Sequence, residues 1–490
     1  MYYNYITMRV YLRCSVVFGC VVNEAQVELS TLKCVKGDNF KSMTMAPTRI
    51  ISYQVKDIRF PTSLEKDGSD AMNLAPDYSA PYIILKTDSD LEGHGLTFTV
   101  GKGNEIVCHA VRVLSQIVVN KELDYIYNNF GTFWRSLTSE DQIRWLGPEK
   151  GVMHLAVGAI INALWDLWAK IEGKPLWKLL VDMEPEKLVS TIDFRYMSNA
   201  LSKDEALAIL KKMQAGKSER ENDLKSTGYP AYTTSVGWLG YDDVKLRRLC
   251  KEALAEGFTR FKAKVGADLA DDKRRLTIIR EEVGQDKMLL VDANQRWEVQ
   301  EAIDWMKELA QFNLTWIEEP TSPDDILGHA QIAKELNPLG IGVATGEQCQ
   351  NRIMFKQFIQ ANALQFCQID SCRLGGVNEN LAVILMACKY GVPICPHGGG
   401  VGLCELIQHL SIFDYIAVSG SLDKRIVEYV DHLHENFIHP TVVKNGSYQL
   451  PQAPGYSSQM KESSLVSNEW PNGAVWKKLI QDGVYTNPEI

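Results

Sequence analysis

Eight polar side chains in the second half of the chain recur at nearly one spacing. Lys262 and Lys264 lie in Phe-Lys-Ala-Lys-Val-Gly, Asp292 in Val-Asp-Ala-Asn-Gln, Glu318 in Trp-Ile-Glu-Glu-Pro and Glu347 in Thr-Gly-Glu-Gln, with Asp370, His397 and Glu428 following. From Lys264 onward the steps are 28, 26, 29, 23, 27 and 31 residues. Asp292, Glu318 and Glu347 form an oxygen-only ligand set, which suits Mg²⁺. Strand alternation turns Glu318 to the side of Trp316 and Glu319 to the other, so Glu318 is the expected ligand and Glu319 an outer partner. Lys262 and Lys264 share a face. Two ammonium groups beside a divalent cation are expected to lower each other's pKa, which makes a lysine a usable general base. Asp370 can hydrogen-bond the His397 ring, fixing its tautomer and supporting its protonated form. A base, an acid and a metal between them suit removal of the proton next to a carboxylate, with the metal charge stabilising the enediolate.

Taken singly, each group has an ordinary explanation. A Lys-x-Lys pair is commonly a solvated strand edge, Asp292 a helix N-cap, Asp370 a turn residue and His397 a satisfied histidine. Their joint order carries the reading. His409, His432, His434 and His439 fall outside it and read as structural. Cys349, Cys367 and Cys395 lie nearby but lack the base and orienting partner that a nucleophile needs.

The elements that position these groups begin at Ala231. Short apolar runs at Tyr232–Gly237, Phe261–Val265, Met288–Asp292, Thr315–Glu318, Gly342–Glu347, Leu364–Asp370, Val392–His397 and Ile426–Val430 read as strands. Amphipathic helices such as Asp242–Glu256, Asp271–Val283, Gln300–Ala310 and Asn378–Tyr390 lie between them. That alternation predicts a (β/α)8-type barrel whose C-terminal mouth collects the polar residues. A doubly wound sheet would need a Gly-rich first turn, and Gly398-Gly399-Gly400 lacks that spacing. Upstream, strand-like runs at Ile50–Val55 and Tyr82–Thr87 precede helical patterns at Val107–Val119 and Val152–Trp168, an α+β arrangement. Lys203–Lys225 reads as a charged, solvated helix. After Val430 the chain is loop-rich, and a last helix, Gly473–Gln481, is expected to return to the first domain.

Composition limits the classes. The chain has 490 residues, with 52 Lys plus Arg against 61 Asp plus Glu, a net charge of −9. No bulk positive field favours nucleic acid or an anionic membrane surface. The 11 cysteines include no Cys-x-x-Cys, which argues against a disulfide framework and for a reducing compartment. No run approaches the about 20 apolar residues of a membrane span, and Gly151–Trp165 reads as a buried core helix. Residues 1–23 carry Arg9 and Arg13 and no acid, yet little serine. Residues 1–44 are therefore expected to be a variable extension outside the fold rather than a targeting peptide.

Beyond the strand ends, the segments Asp57–Ser63, Gly68–Met72, Gly147–Gly151, Asp193–Tyr196 and Glu428–His432 carry a family resemblance. From about Thr48 to the C-terminus the chain resembles the mandelate-racemase-like acid-sugar dehydratases of the enolase superfamily, in which a Lys or His base works with Mg²⁺. The resemblance implies a modified TIM barrel of (β/α)7β type with an α+β N-terminal capping domain completed by the C-terminal tail. The implied organisation is an extension 1–44, a capping domain 45–190, a barrel 191–434 with a charged helical insertion near 200–228, and a returning segment 435–490. It implies Lys264 as base, His397 with Asp370 as acid, and Asp292, Glu318 and Glu347 as Mg²⁺ ligands. It further implies substrate contacts from Gly68, Ser69, Asp70, Tyr78, Lys262, Glu347, His397 and Glu428. The implied partner is a small acid sugar, L-fuconate, dehydrated to 2-keto-3-deoxy-L-fuconate, with no nucleic acid or membrane. Barrels of this kind often form homo-oligomers. The implied compartment is the mitochondrion, the cytoplasm being the alternative. Competing readings are a dehydratase, epimerase or cycloisomerase of another acid sugar, a Schiff-base aldolase through Lys264, and a catalytically silent binding protein on the same barrel.

Overall fold

In the computed structural model, residues 48–486 are described. The expectation for residues 1–44 lies outside them. Strand β1 (Ile50–Arg59) pairs antiparallel with β2 (Ser79–Thr87), and β2 with β3 (Glu92–Leu96). The long helix Gly151–Ile171 packs across β3. Glycines at 93 and 95 allow that approach: a Cβ on Gly95 would lie 2.5 Å from Ala163 N and closer still to Ala159 O. This helix is long and apolar enough to cross a membrane, but 89% of its apolar window is buried inside the protein.

The barrel strands are β4 (Tyr229–Gly237), β5 (Arg260–Lys264), β6 (Met288–Asp292), β7 (Leu314–Glu318), β8 (Gly342–Thr345), β9 (Phe366–Cys367) and β10 (Val427–Tyr429). Consecutive strands from β4 to β9 pair in parallel, and β10 returns to pair with β4. Helices such as Asp243–Ala255, Leu269–Val283 and Val299–Leu309 cover the outside. The fold is the modified TIM barrel with an α+β cap.

The expected strand at Val392–His397 is not regular. Pro393 and Pro396 bring no N–H to a ladder. Isolated bonds close the gap instead: Cys367 N donates to Pro393 O, Cys395 N to Cys367 O and His397 N to Ile369 O. The fifth predicted strand also ends early, at Thr345, so Glu347 stands on the turn beyond it. The charged segment Lys203–Lys225 is two helices, Lys203–Lys212 and Lys217–Thr227, separated at Gly216 with φ +78°. A backbone in that region favours glycine.

The tail returns to the α+β elements. Trp470 N donates to Asp57 O at 2.8 Å, Trp476 Nε1 to Arg59 O at 3.0 Å, and the Tyr485 hydroxyl to Asp77. Helix Ala474–Gln481 carries Trp476 into that contact.

Candidate active site

Strand register sets the floor of the site. Lys264 is opposite Asp292 across β5 and β6, and Asp292 is opposite Glu318 across β6 and β7. Single ligand oxygens of Asp292, Glu318 and Glu347 all lie within 4.8 Å of one another. Lys262 Nζ sits among carboxylates, 2.7 Å from Glu318 Oε1, 2.7 Å from Glu428 Oε1 and 3.3 Å from Asp292 Oδ2. Lys264 Nζ donates to Asp292 Oδ2 at 2.6 Å. On the far side His397 Nε2 is 3.2 Å from Glu347 Oε2, and its Nδ1 is 2.7 Å from Asp370 Oδ2. Asp370 is held in turn by the N–H groups of Cys372 and Arg373.

A cavity of about 240 Å³ opens above this floor. Gly68, Asp70 and Tyr78 line it from the cap, and Lys264, Glu347, His397 and Glu428 from the barrel. Lys262, Asp292 and Glu318 are fully buried beneath. Ser69 turns away: its hydroxyl donates to Leu74 O. The Asp70 carboxylate accepts from Met72 N and Asn73 N and so stabilises its own turn.

Among the protein groups alone, the carboxylates set the charge of this floor. Burial depresses the pKa of both lysines, and Lys262 further depresses that of Lys264. The carboxylates outweigh these effects, chiefly Glu318 and Glu428 for Lys262 and Asp292 for Lys264, so both ammonium groups are held above the ordinary lysine range. Burial alone would raise Asp292, but Lys264 and then Lys262 hold it below the usual carboxylate range. Glu318 is raised, by burial first and then by Asp292. Burial would lower His397, yet Glu347 and the hydrogen bond to Asp370 push it up to about 9.

The donor set fits a hard divalent cation. Glu318 Oε2 is buried with no hydrogen-bond partner, an expensive state for a carboxylate oxygen that a cation would satisfy. Glu319, with φ +42°, accepts from Gln295 Nε2 at 2.5 Å through Oε2 while its Oε1 is also buried without a partner, so it is the triad geometry that selects Glu318.

Spacing alone left several wall residues unread. Thr234, Trp238, Asn294, Arg373 and Phe98 also line the cavity. Asn294 carried a signal, standing two residues past Asp292. Arg373 donates Nε to Glu347 O at 3.0 Å. His432, read as structural, sets its ring centroid 5.3 Å from Tyr78 and 5.4 Å from Trp238, tilted 51° to each. Cys349, Cys367 and Cys395 are buried, and burial pushes the Cys395 thiol up to about 12.

Residues 245–464 match the enolase C-terminal domain-like family, and residues 71–181 the mandelate racemase / muconate lactonizing enzyme N-terminal domain. The crystal structure of human mitochondrial enolase superfamily member 1 is 60% identical, with a TM-score of 0.88, covering 89% of this chain and all of that one. L-galactonate dehydratase of Hypocrea jecorina is 55% identical over 437 residues, 88% of this chain and 97% of that protein. A Streptomyces coelicolor racemase solved with bound magnesium is 26% identical with a TM-score of 0.65, covering 83% of this chain and 96% of that one. The chain belongs to the enolase superfamily, in its mandelate racemase / muconate lactonizing enzyme branch. Within that branch it is an enzyme of the acid-sugar dehydratase type, a lyase.

Proposed function

We propose that the protein is a Mg²⁺-dependent L-fuconate dehydratase, producing 2-keto-3-deoxy-L-fuconate and water. The observation that carries this reading is that Lys264 and His397 are fixed at opposite ends of one carboxylate triad, Lys264 on Asp292 and His397 on Glu347. Asp292, Glu318 and Glu347 would hold Mg²⁺, as the magnesium-bound racemase supports. When bound, the ion would offset two of the three carboxylate charges and supply Lewis-acid charge for a substrate carboxylate.

Lys264, in its neutral form, takes the C2 proton; a divalent cation held by the triad would favour that form by drawing the Asp292 charge away from the ammonium. His397, charged through Asp370, gives its proton to the departing 3-hydroxyl as the C3–O bond breaks, and water leaves. The resulting enol ketonises. Lys262 and Glu428 fix the floor, and Gly68, Asp70 and Tyr78 shape the cap side that excludes water.

A second substrate is favoured by the 55% identity to the Hypocrea protein: L-galactonate. We place the protein in the mitochondrion on the name of its human relative. A panel of aldonates with and without Mg²⁺, read as 2-keto acid by semicarbazide, tests the reading. Fastest turnover of L-fuconate, with Mg²⁺ only, is the expected result. Turnover confined to other acid sugars would replace it.

A further inference from the structure

The segment from Thr62 to Asp77 arches over the cavity. Its two ends are tied together: Thr62 Oγ1 donates to Pro76 O at 2.7 Å, Tyr78 N donates to Thr62 Oγ1 at 3.0 Å, and Ser63 Oγ to Asp77 Oδ1 at 2.8 Å. Beyond the polar bonds of its own turn, from Ser69 to Leu74 O and from Met72 N and Asn73 N to Asp70, the tip has little apolar packing to hold it. Met72 and Leu74 are exposed, and burial is confined to Gly68, Ser69, Asp70 and Pro76. Few buried apolar contacts mean a low local free energy of opening.

The tip nevertheless rests on the barrel, on the connection that follows β4. Leu239 N donates to Ser69 O at 3.2 Å. The Tyr241 hydroxyl donates to Asp67 Oδ1 at 3.1 Å. The Tyr241 ring is itself fixed, buried beside Trp238 at 6.2 Å, with the Lys245 ammonium 3.7 Å from its centroid. Among the described residues this is the one side-chain hydrogen bond from the tip to the barrel. Trp238, three residues earlier, lines the same cavity as Gly68, Asp70 and Tyr78.

We propose that Tyr241 is a positioning residue, which through Asp67 latches the 62–77 arch onto the barrel and so keeps the cap wall of the cavity closed over the acid sugar. The proposal rests on the dehydratase reading for its substrate. Tyr241→Phe removes one hydroxyl and keeps the ring. Hydrogen exchange of amides 64–75, measured on the full chain without substrate, is expected to quicken roughly tenfold, the loss of one net hydrogen bond. KM for the acid sugar is expected to rise by about the same factor, with kcat changed by less than about threefold. Asp67→Ala should match it, Asp67→Asn should largely retain the wild-type values because its amide oxygen still accepts, and the double variant Tyr241→Phe/Asp67→Ala should be no worse than either single change. Unchanged exchange in Tyr241→Phe, or additive effects in the double variant, would overturn the latch. A wild-type protein inert towards every acid sugar would instead overturn the functional reading, while the exchange data would still judge the latch.

Discussion

Lys264 Nζ lies 2.6 Å from Asp292 Oδ2, a pair fixed by direct register between neighbouring strands β5 and β6. The same carboxylate group is both the counter-ion of the lysine and part of the oxygen triad. A cation held by the triad would therefore compete with Lys264 for the charge of Asp292. If the triad holds a cation and Lys264 is the base, as proposed, the protonation of Lys264 would follow occupancy of the triad.

Glu318→Gln is expected to weaken Mg²⁺ binding by tenfold or more, since a neutral amide replaces a ligand charge in a buried site. Glu319→Gln should do less, because Glu319 is bonded to Gln295 outside the triad. Titration calorimetry on both variants checks the ranking, and the reverse order would contradict the strand-phase assignment.

His434 offers a stability test away from the cation site. Burial would lower its pKa, but Glu405, 2.6 Å from Nδ1, pushes it up to about 9. The unfolded value is about 6.5. A raised folded pKa gives stability that is fully present below about 6.5 and is lost as pH rises through about 9. Denaturant unfolding should show Glu405→Gln less stable than wild type at pH 6, on the order of 2 kcal/mol, with the gap narrowing by pH 10. A gap independent of pH would refute the pairing as its cause.

Gly95→Ala should destabilise the fold by about 1–3 kcal/mol, the usual cost of overpacking a tight contact. The added Cβ would meet the backbone of helix Gly151–Ile171, which has no flexible side-chain end to yield. Thermal unfolding measures it; an unchanged Tm would show that helix and strand can separate without cost.

The strand-end groups were legible because a barrel repeats its unit, so Asp292, Glu318, Asp370, His397 and Glu428 announce themselves by interval. Other parts had no such signal. Strand β3, Glu-Gly-His-Gly-Leu, lacks β-branched residues because its glycines serve helix contact rather than strand propensity. The run Val392–His397 reads as apolar, but its two prolines leave it bonded only at isolated points. The carboxylate shell of the lysines had no such signal either, because charge balance depends on how many carboxylates surround each ammonium, and only packing shows that Lys262 meets three. Trp238, Phe98 and the Tyr241–Asp67 bond arise where cap meets barrel, a juxtaposition that no local pattern encodes.

The central claim divides base from acid, and C2-proton exchange in deuterium oxide separates them most directly. Lys264→Ala and His397→Asn should each stop dehydration, at a cost of about 10²–10⁴-fold per group. Lys264→Ala should also stop exchange of the C2 proton. His397→Asn should retain slow exchange, because Lys264 can still remove the proton and return a deuteron. Exchange that survives in Lys264→Ala but not in His397→Asn would contradict the account and reverse the two roles.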